Sequence, residues 1–477
     1  MAYTDNRQFI QALDKTGDIV HIKKEVDWDL EVGAIGRRAY ETEGPAILFE
    51  NIRDYPGHRI FSGMLGTFRR VAIALDLPPE TPIPQIYAEY AKRIETTVKP
   101  KIVESAPCQE NVVLGDDVDL YELPTPYLHE GDGGRYIATW AFEVTKDPDS
   151  GLHNWGMYRF MIHNKHYIVG WPRATSHLAM TLHGKYVPDN KPMPMAVVLG
   201  ADPACTAVST VSYGVNVDEA DYAGAWNQKP VELVKCKTLD LLVPANAEII
   251  IEGEILPDRV VPEGPFGEYP GFRTEGVRSG VLCEIKAITY RNSPIFTTIQ
   301  LGVPQDDSSV LASMTAAVAM KRGLLRHGVP VTEVYAPPYG VTHLIIVGVK
   351  QGGKKVADQV RDFFLSRRRV DPNKIIVVDE ADPFNWGEVM HDFATKCHPV
   401  KGVSVNEVVG KAMPLTPCYS SEERRKYDGG LDVFDATWPA EADRFNQVPV
   451  RNSFQVMYPE ELKDKVIKNW KEYGFKD

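Results

Sequence analysis

The chain carries Glu248-Ile249-Ile250-Ile251 and, further on, Val281-Leu282-Cys283-Glu284-Ile285. Runs of similar character occupy 195–199 and 207–211, and clusters of Gly, Pro and Asn separate them. Short runs of β-branched and aromatic residues between such breakers are typical of strands joined by turns. Residues from about 135 to 300 therefore predict a largely antiparallel sheet or barrel, with one helix over 176–186.

Two segments of this region carry its polar chemistry. Asn154-Trp155-Gly156-Met157-Tyr158-Arg159 supplies an amide and a guanidinium. Glu263-Gly264-Pro265-Phe266-Gly267-Glu268 supplies two carboxylates on a turn too rich in Gly and Pro for a regular helix. An arginine and two acids that meet in a fold can bind a carboxylate and move a proton.

Spacing alone leaves the use of these residues open. Arg159 follows Asn154 by an odd offset, which in a regular strand places the two side chains on opposite faces. Either a turn at Gly156 redirects one of them, or they act on different sides of a planar ligand. For Glu263 and Glu268 the alternative is a pair of surface acids on a loop.

The N-terminal flank has an α/β pattern. An amphipathic helix is expected over 5–16, with Asp5 as its cap and Gly17 at its end. A strand at 19–22, a helix around 30–42 and a strand at 46–49 follow.

The C-terminal flank returns to an α/β pattern. A long helix is expected over 308–327, and strands at 343–348 and 374–379 flank a helical segment at 353–367. A last helix over 459–473 carries an apolar stripe that needs a surface to cover, such as another subunit. The stripe consists of Leu462, Val466, Ile467 and Trp470.

Composition restricts the class of protein. A chain of 477 residues with 43% hydrophobic and 25% charged residues is expected to form about three globular domains. A net charge of -12 argues against a nucleic-acid partner, since phosphate binding needs a basic surface. No run approaches the roughly 18 apolar residues of a membrane span. Six scattered cysteines without Cys-x-x-Cys spacing, in a chain with no visible leader, indicate reduced thiols and a cytoplasmic protein.

Two further sets are candidate ligand contacts. Asn154, His177 and Glu219 would make a mixed oxygen and nitrogen site, better suited to Mn²⁺ or Mg²⁺ than to zinc, if they converge. Ser209-Thr210-Val211-Ser212 offers hydroxyls and amides at the end of a predicted strand, where a phosphate could bind. There is no Gly-x-Gly-x-x-Gly and no Walker loop.

Six segments resemble, in order, the signatures of the UbiD-type decarboxylases, which use prenylated FMN. They are 154–159, 199–204, 218–225, 242–249, 263–268 and 377–385. The last helix, with Lys-Asn-Trp-Lys-Glu-Tyr-Gly at 468–474, is similar to the ferulic acid decarboxylase branch, and the hydroxyaryl acid decarboxylases are also close. The resemblance covers nearly the whole chain.

The resemblance implies an α/β (α+β) protein in four parts. These are an N-terminal α/β domain at 1–105, a flavin-reductase-like split β-barrel that binds prenylated FMN at 106–305, a C-terminal α/β oligomerisation domain at 306–455, and a terminal helix at a subunit interface within 456–477. It further implies a homodimer or a hexamer.

The resemblance also assigns roles to residues. Asn154, His177 and Glu219 would hold Mn²⁺ against the flavin phosphate, with K⁺ beside it. Arg159, Glu263 and Glu268 would form the catalytic network, with Glu268 as the proton donor. The residues expected to contact prenylated FMN are Asn154, Trp155, Gly156, Met157, Tyr158, Arg159, Ser176, His177, Ser209, Thr210 and Glu219.

Two positions depart from the family pattern. The ubiquinone-pathway branch has Asp where this chain has Glu268, which argues against a polyprenyl-hydroxybenzoate substrate. Several relatives have a lysine near the flavin phosphate at about the position of Leu431, where Arg424, Arg425 or Lys426 could substitute.

The implied activity is the reversible, non-oxidative decarboxylation of an aromatic, heteroaromatic or α,β-unsaturated carboxylic acid to CO₂, with the flavin supplied by a separate flavin prenyltransferase. Two alternatives stay open. A split-barrel flavin oxidoreductase would need a nicotinamide site and no Glu/Arg/Glu network. A non-catalytic subunit of a multi-subunit carboxylase would not need to retain all three catalytic residues and all three metal ligands.

Overall fold

A computed structural model gives the fold and describes residues 3–211, 213–214, 216–273, 276–303, 305–439 and 448–476. The chain begins with an α/β unit. Its elements are α1 (Asn6–Thr16), β1 (Ile19–Ile22), α2 (Glu31–Glu41), β2 (Ala46–Phe49), β3 (Arg59–Ser62), α3 (Phe68–Ala74) and α4 (Ile83–Arg93).

Helix α1 confirms the signals read from its sequence. The Asp5 carboxylate accepts a hydrogen bond from the Gln8 amide (2.8 Å), and Gly17 ends the helix in the left-handed region with φ 73°. Phe9 and Leu13 on its inner face are fully buried. The predicted elements at 19–22, 30–42 and 46–49 are likewise present as β1, α2 and β2.

The central part is rich in strands. In chain order its elements are β4 (Lys101–Val103), β5 (Asn111–Leu114), β6 (Tyr136–Ala138), β7 (Ala141–Lys146), β8 (His153–Gly156), β9 (Phe160–Asn164), β10 (Tyr167–Gly170), α5 (His177–Thr181), β11 (Met193–Leu199), α6 (Pro203–Val208), α7 (Glu219–Asn227), β12 (Glu232–Lys235), β13 (Leu242–Pro244), β14 (Ile249–Glu263), β15 (Arg278–Tyr290) and β16 (Ile295–Thr298). A π-helical turn at Leu182–Tyr186 continues α5, so the predicted helix over 176–186 is present.

Nine of these strands form one sheet in the order β6-β9-β10-β15-β14-β11-β7-β8, with β5 also paired to β15. All of its pairings are antiparallel. The sheet curls into a half-barrel, which confirms the fold class expected for this region. The long hairpin of β14 and β15 carries Glu263 as the last residue of β14.

The prediction of a strand at 207–211 was wrong, because a helix covers Pro203–Val208. Asp202 accepts hydrogen bonds from the amides of Ala204 (3.0 Å) and Cys205 (3.3 Å), and Pro203 occupies the first helical position. This start signal for a helix outweighs the β-branched character of the residues that follow it. Ala207 and Val208 therefore complete α6.

Sheet pairing crosses the expected domain limits. Strand β16 pairs in parallel with β3 and completes the N-terminal sheet, β1-β2-β3-β16. Strand β4 joins the small sheet β13-β12-β4. The limits at 105, 305 and 455 stay predictions.

The C-terminal part contains a second α/β unit. Its elements are α8 (Asp307–Arg326), β17 (Val331–Tyr335), β18 (Leu344–Val349), α9 (Lys354–Ser366), β19 (Lys374–Val378), α10 (Trp386–Lys396), β20 (Val403–Val408), α11 (Ser421–Lys426), β21 (Gly429–Ala436), α12 (Phe454–Met457) and α13 (Glu460–Lys468). The sheet order is β17-β18-β19-β21-β20, with β18, β19 and β21 parallel and the two outer strands antiparallel.

The terminal helix is shorter than expected. It ends at Lys468, with Asn469 as its cap, whereas the sequence predicted a helix up to residue 473. After this end Trp470 stacks on Phe475, with ring centroids 4.1 Å apart. Within the part of the chain that the structure describes, no helix is long and apolar enough to span a membrane.

Candidate active site

The segment 154–159 lies at the end of β8. Asn154, Trp155 and Gly156 belong to the strand, and the chain leaves it at Met157 before β9 begins. The Tyr158 ring lies so close to Gly156 that a Cβ there would be 2.6 Å from it. The strand therefore ends before Arg159, so the alternation of a regular strand does not fix the side on which Arg159 lies, and the choice between the two alternatives stays a prediction.

Arg159 joins both glutamates of the turn after β14. Its Nε donates to Glu263 Oε1 (2.9 Å) and one terminal nitrogen donates to Glu263 Oε2 (3.1 Å). The other terminal nitrogen is paired with Glu268. Glu263 is fully buried and Glu268 is 6% exposed, so these are not surface acids on a loop. The three residues expected to cooperate in catalysis lie together.

Aromatic rings surround this guanidinium. Its Cζ lies 5.2 Å from the centre of the Phe266 ring and 5.9 Å from that of Trp171. Arg278 stacks on Trp171 at 3.6 Å. Because aromatic walls exclude water, they strengthen the attraction between Arg159 and any carboxylate that it binds.

The candidate metal ligands come from three elements that meet at β8. Asn154 lies on the strand, while His177 and Glu219 are the first residues of α5 and α7. Asn154 Oδ1 and His177 Nδ1 are 2.8 Å apart, and Glu219 Oε2 accepts a hydrogen bond from the Trp155 amide (2.8 Å). Helices α5 and α7 thus bring both ligands to adjacent residues of one strand.

The electrostatics of this set suit a cation. Burial raises the pKa of Glu219 to about 8, and the negative charge of Asp218 adds to this rise. Burial, together with the charge of Arg368, lowers the pKa of His177 and favours the neutral imidazole that binds metals. The Asn154 amide nitrogen is buried without a hydrogen-bond partner. Over the described ranges no group of three or more His, Cys, Asp or Glu side chains is arranged for a metal, and this set contains only two of those types.

The other residues expected to contact the flavin differ in their surroundings: some pack in hydrophobic clusters and others form hydrogen bonds at the start of α5. The Trp155 side chain is 2% exposed and stacks on Phe142 at 5.0 Å, so only its backbone faces Glu219. Met157 packs against a hydrophobic core cluster. The Tyr158 hydroxyl accepts a hydrogen bond from the Leu178 amide (3.5 Å), and Ser176 caps α5 by accepting from the Ala179 amide (3.3 Å).

Ser209 and Thr210 do not lie at the end of a strand. Their hydroxyls donate to the carbonyls of Thr206 and Ala207, both at 2.7 Å, at the C-terminal end of α6. Ser212 lies outside the described residues. Contact of Ser209 and Thr210 with the flavin phosphate stays a prediction. These hydrogen bonds do not favour it, because both hydroxyls already donate to backbone carbonyls.

The structure also bears on the missing lysine. Leu431 is fully buried in β21. Arg424 binds the Tyr419 carbonyl and Ser421 (3.2 Å), and Lys426 is paired with Glu422 (2.7 Å). Arg368 instead lies beside the candidate metal site, with a guanidinium nitrogen 2.9 Å from Met180 Sδ.

Sequence reasoning missed three residues of the site. The Tyr136 hydroxyl donates to Glu263 Oε1 (2.8 Å), and Asp132 Oδ1 accepts from the Gly267 amide (3.0 Å). Glu143 is fully buried beneath the turn, accepts from the Tyr158 amide (2.9 Å), and has its pKa raised well above the ordinary value by burial. A tyrosine or an acid within a strand or loop gives no sequence signal for such contacts.

Fold and site together define a protein with an antiparallel half-barrel between two α/β units and an arginine held by two buried glutamates. The chain belongs to the UbiD family of carboxy-lyases. Family models for the N-terminal domain, the Rift-related domain and the C-terminal domain of 3-octaprenyl-4-hydroxybenzoate carboxy-lyase match residues 10–90, 101–304 and 309–436.

Individual relatives are similar over nearly their whole length. Pyrrole-2-carboxylic acid decarboxylase of Pseudomonas aeruginosa is 32% identical, covering 99% of both chains. Ferulic acid decarboxylase 1 of Saccharomyces cerevisiae is 32% identical, covering 98% of both.

Two solved structures extend the comparison. Vanillic acid decarboxylase of Sedimentibacter hydroxybenzoicus in its closed form has a TM-score of 0.87 at 31% identity, covering 100% of both chains. An evolved dimeric form of the UbiD-class enzyme HmfF from Pelotomaculum thermopropionicum, in complex with prFMN, has a TM-score of 0.80 at 27% identity, covering 93% of this chain and 96% of the other.

Proposed function

We propose that this chain is a reversible, non-oxidative decarboxylase of an aromatic, heteroaromatic or α,β-unsaturated carboxylic acid and that it uses prenylated FMN. The contact of Arg159 with both Glu263 and Glu268 carries the proposal. A buried cation can orient a substrate carboxylate, and a carboxylic acid beside it can return a proton. A flavin oxidoreductase has no need for this arrangement.

The chain's own residues perform the binding and the proton transfer. Arg159 orients the substrate carboxylate, which leaves as CO₂ while its bonding electron pair stays on the carbon. Glu268 then protonates that carbon and regains a proton from solvent. Glu263 holds Arg159 in place. When bound, the modified flavin supplies an electron sink, which no side chain offers.

The metal site is part of the proposal. Asn154, His177 and Glu219 would hold Mn²⁺, because an amide oxygen, a neutral imidazole and a buried carboxylate are suitable ligands for it. The ion would fix the flavin phosphate, with K⁺ beside it as the family resemblance implies. Arg368, whose charge lowers the pKa of His177, is a candidate for a cationic contact to that phosphate.

Other expectations stay proposals as well. They include a flavin prenyltransferase as the source of the cofactor, a homodimer or hexamer, and a cytoplasmic location. All six cysteines are free thiols, and four of them are buried, which agrees with a reducing compartment.

The test is production of the chain with and without a flavin prenyltransferase. Native mass spectrometry should detect a prenylated flavin only after co-production. The loaded protein should then release CO₂ from at least one acid in a panel of pyrrole, hydroxybenzoic and cinnamic acids. Prenylated flavin bound without release or exchange of CO₂ for any acid would contradict the proposal, and reduction of the flavin by NAD(P)H would support the oxidoreductase.

A further inference from the structure

Residues 127–136 form a segment that packs against the turn carrying the two glutamates. The Gly133 amide donates to the Pro265 carbonyl (2.7 Å), and the Gly267 amide donates to Asp132 Oδ1 (3.0 Å). The Tyr136 hydroxyl donates to Glu263 Oε1 (2.8 Å). The same hydroxyl also lies 3.5 Å from the Pro265 carbonyl oxygen, so several hydrogen bonds join this segment to the turn.

Tyr136 is a permanent donor to Glu263. Its side chain is 1% exposed, and its ring lies 4.3 Å from the Phe266 ring. Burial, followed by the negative charge of Glu263, raises the pKa of Tyr136 far above the ordinary value for tyrosine. The phenol thus keeps its proton at every working pH, and Glu263 is the acceptor.

The two glutamates have unequal surroundings. Glu263 receives three hydrogen bonds, two from Arg159 and one from Tyr136, and is fully buried. Glu268 has a side-chain contact only with Arg159 in the described part of the chain. Donors to a carboxylate favour its ionised form. The charged and titratable groups around Glu263 are Arg159, Glu268, Tyr136, Asp132, His129 and Arg278.

Asp132 fixes the backbone next to Glu268. Its side chain is fully buried, with Oδ1 on the Gly267 amide and Oδ2 3.0 Å from His129 Nδ1. A Cβ at Gly267 would lie 3.0 Å from that same nitrogen. The turn is therefore held immediately before Glu268.

We infer that Tyr136 and Asp132 are positioning residues, Tyr136 keeping Glu263 ionised and Asp132 fixing the turn that carries Glu268. This inference rests on the proposed decarboxylase function. It adds two residues to the site, each of which acts through one of the two glutamates that share Arg159.

The first test is the pH profile of kcat/KM for the flavin-loaded Tyr136→Phe variant. Loss of one donor should move the acidic limb to higher pH by about one unit, so kcat/KM falls about tenfold below the limb and approaches that of the wild type above it. Tyr167→Phe is the matched control, because Tyr167 also donates to a glutamate of the same sheet, Glu284 (3.1 Å), and should not shift the limb. An equal loss at all pH values would overturn the role of Tyr136.

The role of Asp132 is tested by comparing its substitution in the wild type and in a Glu268→Gln background. Asp132→Ala should lower kcat at least tenfold at all pH values without moving the acidic limb. Because Asp132 acts through the turn, the same substitution in a Glu268→Gln background should have almost no further effect. A full additional loss in that background would show that Asp132 acts elsewhere and would overturn its role.

A readout without turnover separates this inference from the proposed function. Infrared titration of protein with ¹³C-labelled glutamate carboxyls, assigned by difference against Glu263→Gln, follows the ionisation of Glu263. The wild type should keep Glu263 ionised to lower pH than Tyr136→Phe does. An inactive wild type would refute the decarboxylase, whereas a protonated Glu263 at neutral pH, or no difference between the two proteins, would overturn the inference.

Discussion

Glu263 and Glu268 share one guanidinium but differ in their other contacts. Glu263 is tied to both Arg159 and Tyr136, whereas Glu268 has only the arginine among the described side chains. A carboxyl group that receives fewer hydrogen bonds is more easily protonated, and is therefore better suited to donate a proton. The difference supports the proposal that the two acids have different roles.

Glu268→Gln should therefore stop proton return while retaining shape and most hydrogen bonds. Turnover is expected to fall by about 10²–10⁴-fold, the usual contribution of a positioned acid, with flavin and metal still bound. Exchange of CO₂ with the substrate should persist, because bond cleavage precedes protonation. Glu407→Gln, at an exposed position of β20, is the control. Near-normal turnover in Glu268→Gln would leave Glu263 or a bound water as the donor.

The metal ligands give a second prediction. His177→Ala or Glu219→Ala should lose both manganese and flavin, because the ion is expected to fix the flavin phosphate. Metal analysis and flavin absorbance of the purified variants would measure this. His163→Ala, an exposed histidine on β9, should retain both. Normal stoichiometry of both groups in either variant would refute the assignment.

For single residues, the sequence was most informative where a polar side chain lies beside a Gly or Pro that restricts the backbone. Glu263 and Glu268 flank a Gly-Pro turn, and Arg159 lies three residues after Gly156, but only the family resemblance predicted that the three side chains meet. Tyr136 and Asp132 could not be predicted, because their roles arise from contacts across the fold. For Trp155 the prediction and the structure differ. Its position in the motif suggested a cofactor contact, but its side chain packs in the core against Phe142.

Among the elements, the β14–β15 hairpin and the segment 127–136 fit each other closely. A Cβ at Gly133 would lie 2.2 Å from the Gly264 carbonyl oxygen. Gly133→Ala should therefore displace the turn, at a cost of about 1–3 kcal/mol in stability, and lower turnover at least tenfold with flavin still bound. Thermal unfolding and steady-state rates would measure both effects. Gly184→Ala, where a Cβ meets open space, is the control. Unchanged turnover in Gly133→Ala would show that the turn tolerates displacement.

Helix ends decided which elements could be predicted. Asp5 and Gly17 gave both limits of α1. At 207–211 the β-branched residues favoured a strand, but the Asp202-Pro203 start signal fixed a helix. The terminal helix was placed correctly at its start and overextended at its end, because an apolar stripe continues past the last helical residue in a folded-back turn.

On the scale of the whole molecule, the candidate site involves both the central and the C-terminal parts. Arg173 reaches Met413 Sδ (3.1 Å), and Arg368 reaches Met180 Sδ (2.9 Å). The first contact runs from the loop before α5 and the second from α5 itself, and both reach the C-terminal part. The family resemblance predicted the order of the parts along the chain. It did not predict these contacts, because they depend on how the parts pack against each other.

The end of the chain presents an exposed apolar surface. In the single chain Leu462 is 43% exposed, Ile467 61% and Trp470 39%. Side chains of this size contribute about 1.5–3 kcal/mol each when fully buried, so a stripe of them favours association. We expect the stripe to lie at a contact between two copies of the chain.

Deletion from Pro459 onward should therefore yield smaller assemblies or aggregates, because it removes one side of that contact and uncovers the other. The double variant Leu462→Glu with Ile467→Glu should also give a smaller assembly, since it places charges where apolar contacts are needed while the chain keeps its length. Light scattering after size-exclusion chromatography would measure the mass of each. Val400→Glu, at a 79% exposed residue in a turn, should leave the mass unchanged. An assembly of wild-type mass in both the deletion and the double variant would place the subunit contact elsewhere on the molecule.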